Sequence, residues 1–481
     1  MSFVPSGESI VETKKCQLSG QDFVVTDKDV KFLDEIAPVF NWQKYAIPTP
    51  TLSPAERMRR RLSFRNERSL HLSKCDLTGK QMVSMYPTWS TYKVYDKDVW
   101  YSDDWDPFEY GRDFDFDRTF FEQFEELFVD VPRMGRVQQS GMENSDFCNC
   151  ASKCKNSYLC FSSNQNEDCY YSTFANQSYR VMDCYNTHSS ENSYACMDIQ
   201  ECTNCVSCIE STQCRDCMFC RNCVGCQDCL FCSNQRQGQY MIMNQKYSKE
   251  EYEQKKKQLK LDTYKDFETL HTRYLAISKS TPVKYLYGVN NENVSWNIVS
   301  YSKDANICFE CSHLEECKYL NNVVESKNCM DYSYWGVDCS WVYEVMAAGF
   351  NCSNLLFCDH TWENNSKLIL CESCMYSSEL FGCNGLRRQK YCVFNKSYSQ
   401  QEYEGLCWRI INHMTSTHEW GEFFPTTMSD FGYNETVAQD YFPMTKDEAT
   451  QRNYSWKDDD EVSAYQGSYH APLPISQYNE S

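Results

Sequence analysis

Thiols offer the most chemistry in this sequence, and they come in series: Cys214, Cys217, Cys220, Cys223, Cys226, Cys229 and Cys232 form six consecutive Cys-x-x-Cys pairs. Such pairs point to tetrahedral zinc, a redox dithiol or a disulfide framework. Zinc needs four sulfurs converging on one point, whereas a continuous run spreads its sulfurs along a line, so packed thiols or a ladder of disulfides fits better than metal. Facing sulfurs in a tightly turning chain would meet the roughly 5.5–6 Å Cα spacing that disulfides favour, and reduced cysteine also works as a small apolar filler. A second cluster is cationic. Arg57, Arg59, Arg60, Arg61, Arg65 and Arg68 form a basic run, on an expected helix, in a chain of net charge -20. One reading is a local contact to nucleic acid or an acidic macromolecule. The other is an internal partner, for which residues 96–130 offer thirteen Asp and Glu against three Lys and Arg. No His-Glu-x-x-His, Gly-x-Ser-x-Gly or Gly-rich phosphate loop is present, and the eight His are scattered. No enzymatic activity, catalytic residue or cofactor is therefore expected.

The element that must position the thiols follows from their register. Stepping by three from Cys148 to Cys232 meets only Cys, Ser, Ala, Thr, Asn, Val and Ile, and of the 17 cysteines in that stretch only Cys150 is out of phase. Period three suits neither a helix at 3.6 nor a flat strand at 2. It suits a coil so tight that every third side chain points inward and only small ones fit. Cys148, Cys154, Cys160, Cys184, Cys196, Cys202, Cys208, Cys214, Cys220, Cys226 and Cys232 also share a phase of six and form the expected structural ladder. The pattern resembles the narrow, cysteine-stapled β-helices of insect antifreeze proteins, with about twelve residues per coil; an eighteen-residue hexapeptide coil is the competing geometry. The regular Thr ladder that binds ice is missing.

A duplication extends the reading. Residues 220–253 match 371–404 without a gap at an offset of 151, from Cys220/Cys371 to Glu253/Glu404. Each copy ends in a short strand followed by a capping box, Ser248 with Glu251 and Ser399 with Glu402, which predicts a helix closing each solenoid's open edge. In the second copy Ala305, Cys308, Cys311, Leu314, Cys317, Leu320, Val323, Ser326 and Cys329 keep period three, which is lost near Cys339 and returns from Cys371 to Cys392. Leu, Val and Trp335 in that series predict a wider, looser coil.

Before residue 140 the chain is cysteine-poor. Cys16-Gln-Leu-Ser19-Gly20 repeats as Cys75-Asp-Leu-Thr78-Gly79, the form of a zinc knuckle whose second ligand is now a hydroxyl, and Ser53-Pro54-Ala-Glu56-Arg57 has the shape of a knuckle without cysteine. Cys16 and Cys75 remain as weak metal candidates, with zinc the only cofactor considered. An acidic, aromatic segment then runs into a helix opened by Thr119 and Glu122, with Phe120, Phe121, Phe124 and Leu127 on a core face. The pI near 4.9 argues against whole-surface attraction to nucleic acid or anionic lipid. The sequence shows no apolar run of membrane-spanning length and no signal-peptide h-region at its start. An intracellular, cytoplasmic chain without membrane contact is expected.

Five strings resemble one family: Arg61-Leu-Ser-Phe-Arg-Asn-Glu-Arg68, Cys75-Asp-Leu-Thr-Gly-Lys80, Trp105-Asp-Pro-Phe-Glu-Tyr-Gly-Arg-Asp-Phe-Asp-Phe116, Glu419-Trp-Gly-Glu-Phe-Phe-Pro425 and Phe431-Gly-Tyr-Asn-Glu-Thr436. They are similar to an uncharacterised family of cysteine-rich proteins encoded by candidate-phyla (Patescibacteria) bacteria and giant viruses. That resemblance implies intact Cys-x-x-Cys pairs in relatives where this chain has Cys16/Ser19 and Ser53/Glu56, hence zinc lost here. The resulting expectation is a mainly β protein: a small α+β, degenerate zinc-ribbon-like region at 1–140, a narrow Cys-lined parallel β-solenoid at 141–247, a helical cap and linker at 248–280, a looser second solenoid at 281–398, and a capping helix with a polar aromatic extension at 399–481. Its expected function is a structural or assembly scaffold whose partners are other protein subunits, in a virus particle if the source is a large virus. A macromolecule-binding module using Arg57–Arg68 is the alternative, and a thiol redox or metal-storage protein the third.

Overall fold

The computed structural model describes residues 4–458 except 6, 89, 260–262, 296, 329, 334–338, 341–342, 348, 350–352, 354–355 and 359–363. Cys329, Trp335 and residues 459–481 thus lie outside the described residues. More residues lie in strands than in helices, and the repeat regions are built of small parallel sheets with no closed barrel among the described residues. No described helix is long and apolar enough to cross a membrane.

In the first repeat region the chain pairs in parallel with itself twelve residues on, from Glu143↔Lys155 through Tyr158↔Tyr170, Tyr185↔Met197 and Thr203↔Arg215 to Gln227↔Gln239. That spacing matches the twelve-residue alternative and not the eighteen. Every third residue from Cys150 to Tyr240 has φ between 47° and 63°. An L-residue in this left-handed region costs about 1–2 kcal/mol, least for Asn and Asp, whose short polar side chains bond locally. Asn and Asp recur there and bond one another up the register: Asn192 to Asn204 at 3.3 Å, and Asn204 to Asp216 at 2.9 Å. As far as Cys232 the residue after each left-handed position is buried, and the apolar ones form one contiguous core of Cys, Ala, Val and Ile.

The second repeat region shows why its period fades. Its register is twelve from Lys303↔Glu315 to Asn321↔Ser333, and thirteen at Ser326↔Cys339, Ser340↔Ser353 and Leu356↔Ile369. It returns to twelve from Ser366↔Ser378 onward. The longer spacings coincide with larger buried side chains such as Tyr332, Tyr343, Val345 and Leu368.

Both regions end alike. Gln239–Ile242 pairs antiparallel with Gln245–Lys246, and Lys390–Val393 with Lys396–Ser397; the helices Lys249–Gln258 and Gln400–Ser416 follow, each opened by its capping box. At the turn, Asn244 Oδ1 accepts from the Ser233 amide at 2.9 Å and Asn395 Oδ1 from the Asn384 amide at 2.8 Å. Asn395 is fully buried at φ 56°, and its Nδ2 donates to the Asn384 and Pro107 carbonyls.

Two matching hairpins open the chain. Ile10–Lys15 pairs with Asp22–Thr26, and His71–Lys74 with Gln81–Ser84. Their turns hold Gly20 and Gly79 at φ 68° and 70°. The Phe120–Asp130 helix seats Phe120 and Phe124 against Phe381, Phe394 and Phe424, in the largest core cluster of the molecule. Thr119 stands at its N-cap, where the helix was expected to open, but its side chain makes no cap bond: the Glu419 carboxylate accepts from the amides of Phe120 and Phe121 at 2.9 and 2.8 Å.

Asn395→Ala removes three hydrogen bonds and leaves an ordinary L-residue in the left-handed region. A loss of about 2–4 kcal/mol is expected, read as a lowered thermal midpoint. Asn395→Gly, which relieves the backbone strain alone, falls between Ala and the native chain.

Candidate functional site

The predicted ladder cysteines are all buried, none more than 3% exposed. Their surroundings are set by the backbone. Outward residues donate to a carbonyl eleven residues ahead, as Tyr158 does to Cys169 at 3.0 Å, and left-handed residues to a carbonyl thirteen behind, as Ser162 does to Asn149 at 3.2 Å. The third amide, on the buried residue, is aligned with neither ladder. At Ser157, Cys169, Cys184, Cys202 and Cys223 it donates to the hydroxyl of the buried serine twelve residues earlier, at 2.9–3.3 Å. At Cys196 and Cys208 a sulfur takes the serine's place: Cys184 Sγ and Cys196 Sγ accept at 3.5 and 3.4 Å.

Each buried Ser or Cys also donates. Ser190 Oγ reaches the carbonyl two residues back at 3.0 Å, and Cys202 Sγ reaches the Gln200 and Ser211 carbonyls at 3.3 and 3.5 Å. The sulfurs touch one another at spacings of three and twelve. Cys214 meets Cys202, Cys217 and Cys226, and Cys220 meets Cys208, Cys217, Cys223 and Cys232. The described cysteines stand as free thiols. Burial pushes the Cys169 thiol up to about 11 and the Cys154 thiol up to about 12. Contacts with four neighbouring sulfurs, together with burial, hold Cys220 well above the ordinary thiol range. The same contacts hold its partners Cys208, Cys217 and Cys232 below that range, so it is enclosure from solvent that keeps the ladder thiols from reacting.

The two degenerate knuckles keep one thiol each. Burial raises the Cys16 thiol, but hydrogen bonds from the Ser19 hydroxyl and the backbone of Ser53 and Ser19 outweigh it and hold the group below its usual value. Cys75 is lowered in the same way by Thr78 and the backbone of Asp96, again against burial. The Ser53 turn therefore does face Cys16, as paired knuckles would. Neither site, nor any other group among the described residues, brings three His, Cys, Asp or Glu side chains into an arrangement that could hold a metal ion.

The arginine run is where expectation and structure part. Arg57, Arg60 and Arg61 share one face of the Pro54–Leu62 helix and are buried. Arg57 Nε donates to Asp331 at 2.6 Å, and its Nη1 to the Leu52 carbonyl at 2.7 Å. Arg60 Nη2 lies 2.9 Å from both Glu344 oxygens, and Nη1 reaches Glu422 at 3.1 Å. Arg61 donates to Ser333 and Asp331. Arg65 is paired with Glu67 at 2.5 Å, and Arg59 with Glu56. Only Arg68, bridged to Asp440 at 3.1 Å, is half-exposed. Five of the six proposed partner-binding arginines are thus engaged inside the protein, because i, i+3 and i+4 spacing directs Arg57, Arg60 and Arg61 together into the core.

The internal partner is also not the one expected. Carboxylates of 96–130 pair elsewhere, Asp113 with Lys396 and Asp130 with Arg112. Sequence reasoning missed Asp331, Glu344 and Glu422, which lie 270 or more residues away and carry no local signal. It also missed the Asn/Asp rows, for which a twelve-residue spacing at off-phase positions was available. Compared with known proteins, the chain matches no family model, no curated protein and no solved structure.

Two outcomes follow from this geometry. If Cys196 acts as a hydrogen-bonding group and not merely as apolar filler, Cys196→Ser stays within about 1 kcal/mol of native. Cys196→Ala leaves the Cys208 amide without its acceptor and costs about 1–3 kcal/mol, and Cys196→Leu overfills the site. Thermal unfolding gives the order, and Ala above Ser would refute the assignment. Arg61→Ala removes one of the two guanidiniums on Asp331 and the donor to Ser333, leaving Asp331 to Arg57 and Glu344 to Arg60, and costs about 1.5–3 kcal/mol, with little dependence on salt because the cluster is buried.

Proposed function

We propose that this chain is a non-enzymatic structural scaffold made of two narrow β-solenoids laid down by the duplication, the second of them wider, each closed by a capping helix. The observation that carries this reading is that the chemically able side chains are already engaged in holding shape. Buried thiols and hydroxyls satisfy the amides of the next turn, and the arginine cluster joins the Pro54–Leu62 helix to Asp331 and Glu344 in the second repeat region. A rigid rod with side chains displayed in straight rows suits a subunit whose partners are other proteins. The source compartment enters only through its products: if the source is a large virus, the chain belongs among the particle proteins, and mass spectrometry of purified particles checks that.

The scaffold reading makes a sharper demand on the thiols. Titration with a thiol reagent should find few reactive groups in the native protein and, after unfolding without reductant, a number near the 31 cysteines of the chain. Rapid reaction of the ladder cysteines in the native protein would overturn a purely structural role for them, since accessible thiolates are the mark of reactive cysteines.

A further inference from the structure

One outer face of the first repeat region is only half covered. Parallel pairing sets Tyr158, Tyr170, Met182, Tyr194, Val206, Met218, Leu230 and Ile242 in a single row, each twelve residues from the next. The left-handed positions beside them carry Leu159 and Tyr171 at one end, where Phe147 also meets the Tyr158 ring at 5.3 Å, and Phe219 and Phe231 at the other. From Tyr194 onward this face is occupied by the Tyr264–Ser280 helix of the same chain. Phe267 meets the rings of Tyr194 and Phe219 at 5.5 and 5.8 Å, Tyr274 meets Phe219 at 5.9 Å, and the Tyr274 hydroxyl donates to the Cys220 carbonyl. Phe267, Leu270, Tyr274 and Ile277 face the row at i, i+3, i+7 and i+10, the spacing of a helix lying in a groove.

Below Tyr194 the same row continues uncovered. Tyr158, Tyr170, Tyr171 and Met182 are 39, 38, 49 and 41% exposed, next to a surface depression of about 520 Å³ whose lining includes Asp146, Phe147 and Asp168. Large apolar side chains in a contiguous row at a protein surface mark an interaction site. The continuity of the row with the covered half says what fits it, and the acids on its border, Asp146, Asp168 and Asp183, add a charge preference.

We infer that the Tyr158–Tyr170–Met182 face is the docking site for an amphipathic helix of another protein chain. Such a helix presents aromatic and long aliphatic side chains at i, i+3 and i+7 and carries Lys or Arg along its flanks. The site is independent of what the buried thiols do, so its failure would leave the scaffold reading intact.

A fluorescein-labelled peptide with the sequence of residues 263–281 is the probe, because that helix already fits the other half of the row. Titrating the full-length protein into it should raise the anisotropy saturably with one peptide per chain. Tyr158→Arg/Tyr170→Arg, at exposed positions that leave thermal unfolding unchanged, should weaken binding at least about tenfold. Absence of binding up to high-micromolar protein, or binding indifferent to the double substitution, would overturn the proposal. So would a concentration-dependent dimer in sedimentation that the same substitution abolishes, because the occupant would then be a second copy of this chain.

Discussion

An amide that finds no backbone acceptor governs the first repeat region. With three residues on each side of a twelve-residue turn, two of every three N–H groups enter a ladder and the third stays with the buried residue. A buried donor left unmade costs about 1–3 kcal/mol, and the deficit recurs four times per turn. At Cys169, Cys184, Cys196, Cys202, Cys205, Cys208 and Cys223 it is met from below, by the side chain of the buried residue twelve earlier. That side chain must be small enough for the interior, must accept a hydrogen bond, and must donate its own proton to a carbonyl two residues back. Serine does all of this, and cysteine does it with a weaker but bulkier, apolar atom. Ala and Val appear where packing alone suffices. Cysteine thus combines filling with donation to a carbonyl throughout the ladder, and at Cys184 and Cys196 also accepts from the amide above.

This explains which features were legible in the sequence. The buried phase of three could be read because exclusion of large and charged residues acts on each position by itself, from Cys148 to Cys232. The end pieces were legible for the same reason: Ser248 with Glu251 and Ser399 with Glu402 are local contacts written within four residues. The twelve-residue turn was legible only as one of two geometries, since period three is common to both. What stayed hidden was every contact whose partner is remote. Glu419 as the cap of the Phe120–Asp130 helix, and Asp331, Glu344 and Glu422 as partners of the arginines, depend on tertiary placement. Proximity in sequence favoured the acidic segment 96–130 instead, and its charges turn out to serve their own neighbourhood.

The arginine cluster also shows why these cations are arginines. Arg60 offers Nη2 to both oxygens of Glu344 while Nη1 reaches Glu422, and Arg57 engages Asp331 while keeping a donor for the Leu52 carbonyl. A lysine ammonium, a compact point charge on a flexible stem, has no such fixed fork. Burial pushes the Glu344 carboxyl up, with Arg60 and Arg61 drawing it back. The desolvation penalty of such a cluster makes it a weak source of net stability but a strict one of geometry, because a misplaced helix would leave several charges buried and unpaired.

The irregularity of the second repeat region then has a physical reason. In the first repeat region a turn of twelve with small buried residues offers the interior hydroxyls, thiols and the Asn166 amide, and its carboxylates sit at outward positions. Asp331 and Glu344, both buried, occur where the register passes from twelve to thirteen and where Tyr332, Tyr343 and Val345 widen the core. Asp331 stands at a left-handed, outward position (φ 61°) of a turn still in register twelve and is enclosed by the Pro54–Leu62 helix packed over it, whereas Glu344 lies in the thirteen-residue stretch. Regularity and docking are thus competing demands on one backbone, and the two copies of the duplication have divided them. The first copy keeps the strict register and displays rows of side chains; the second relaxes it where the Pro54–Leu62 helix is received.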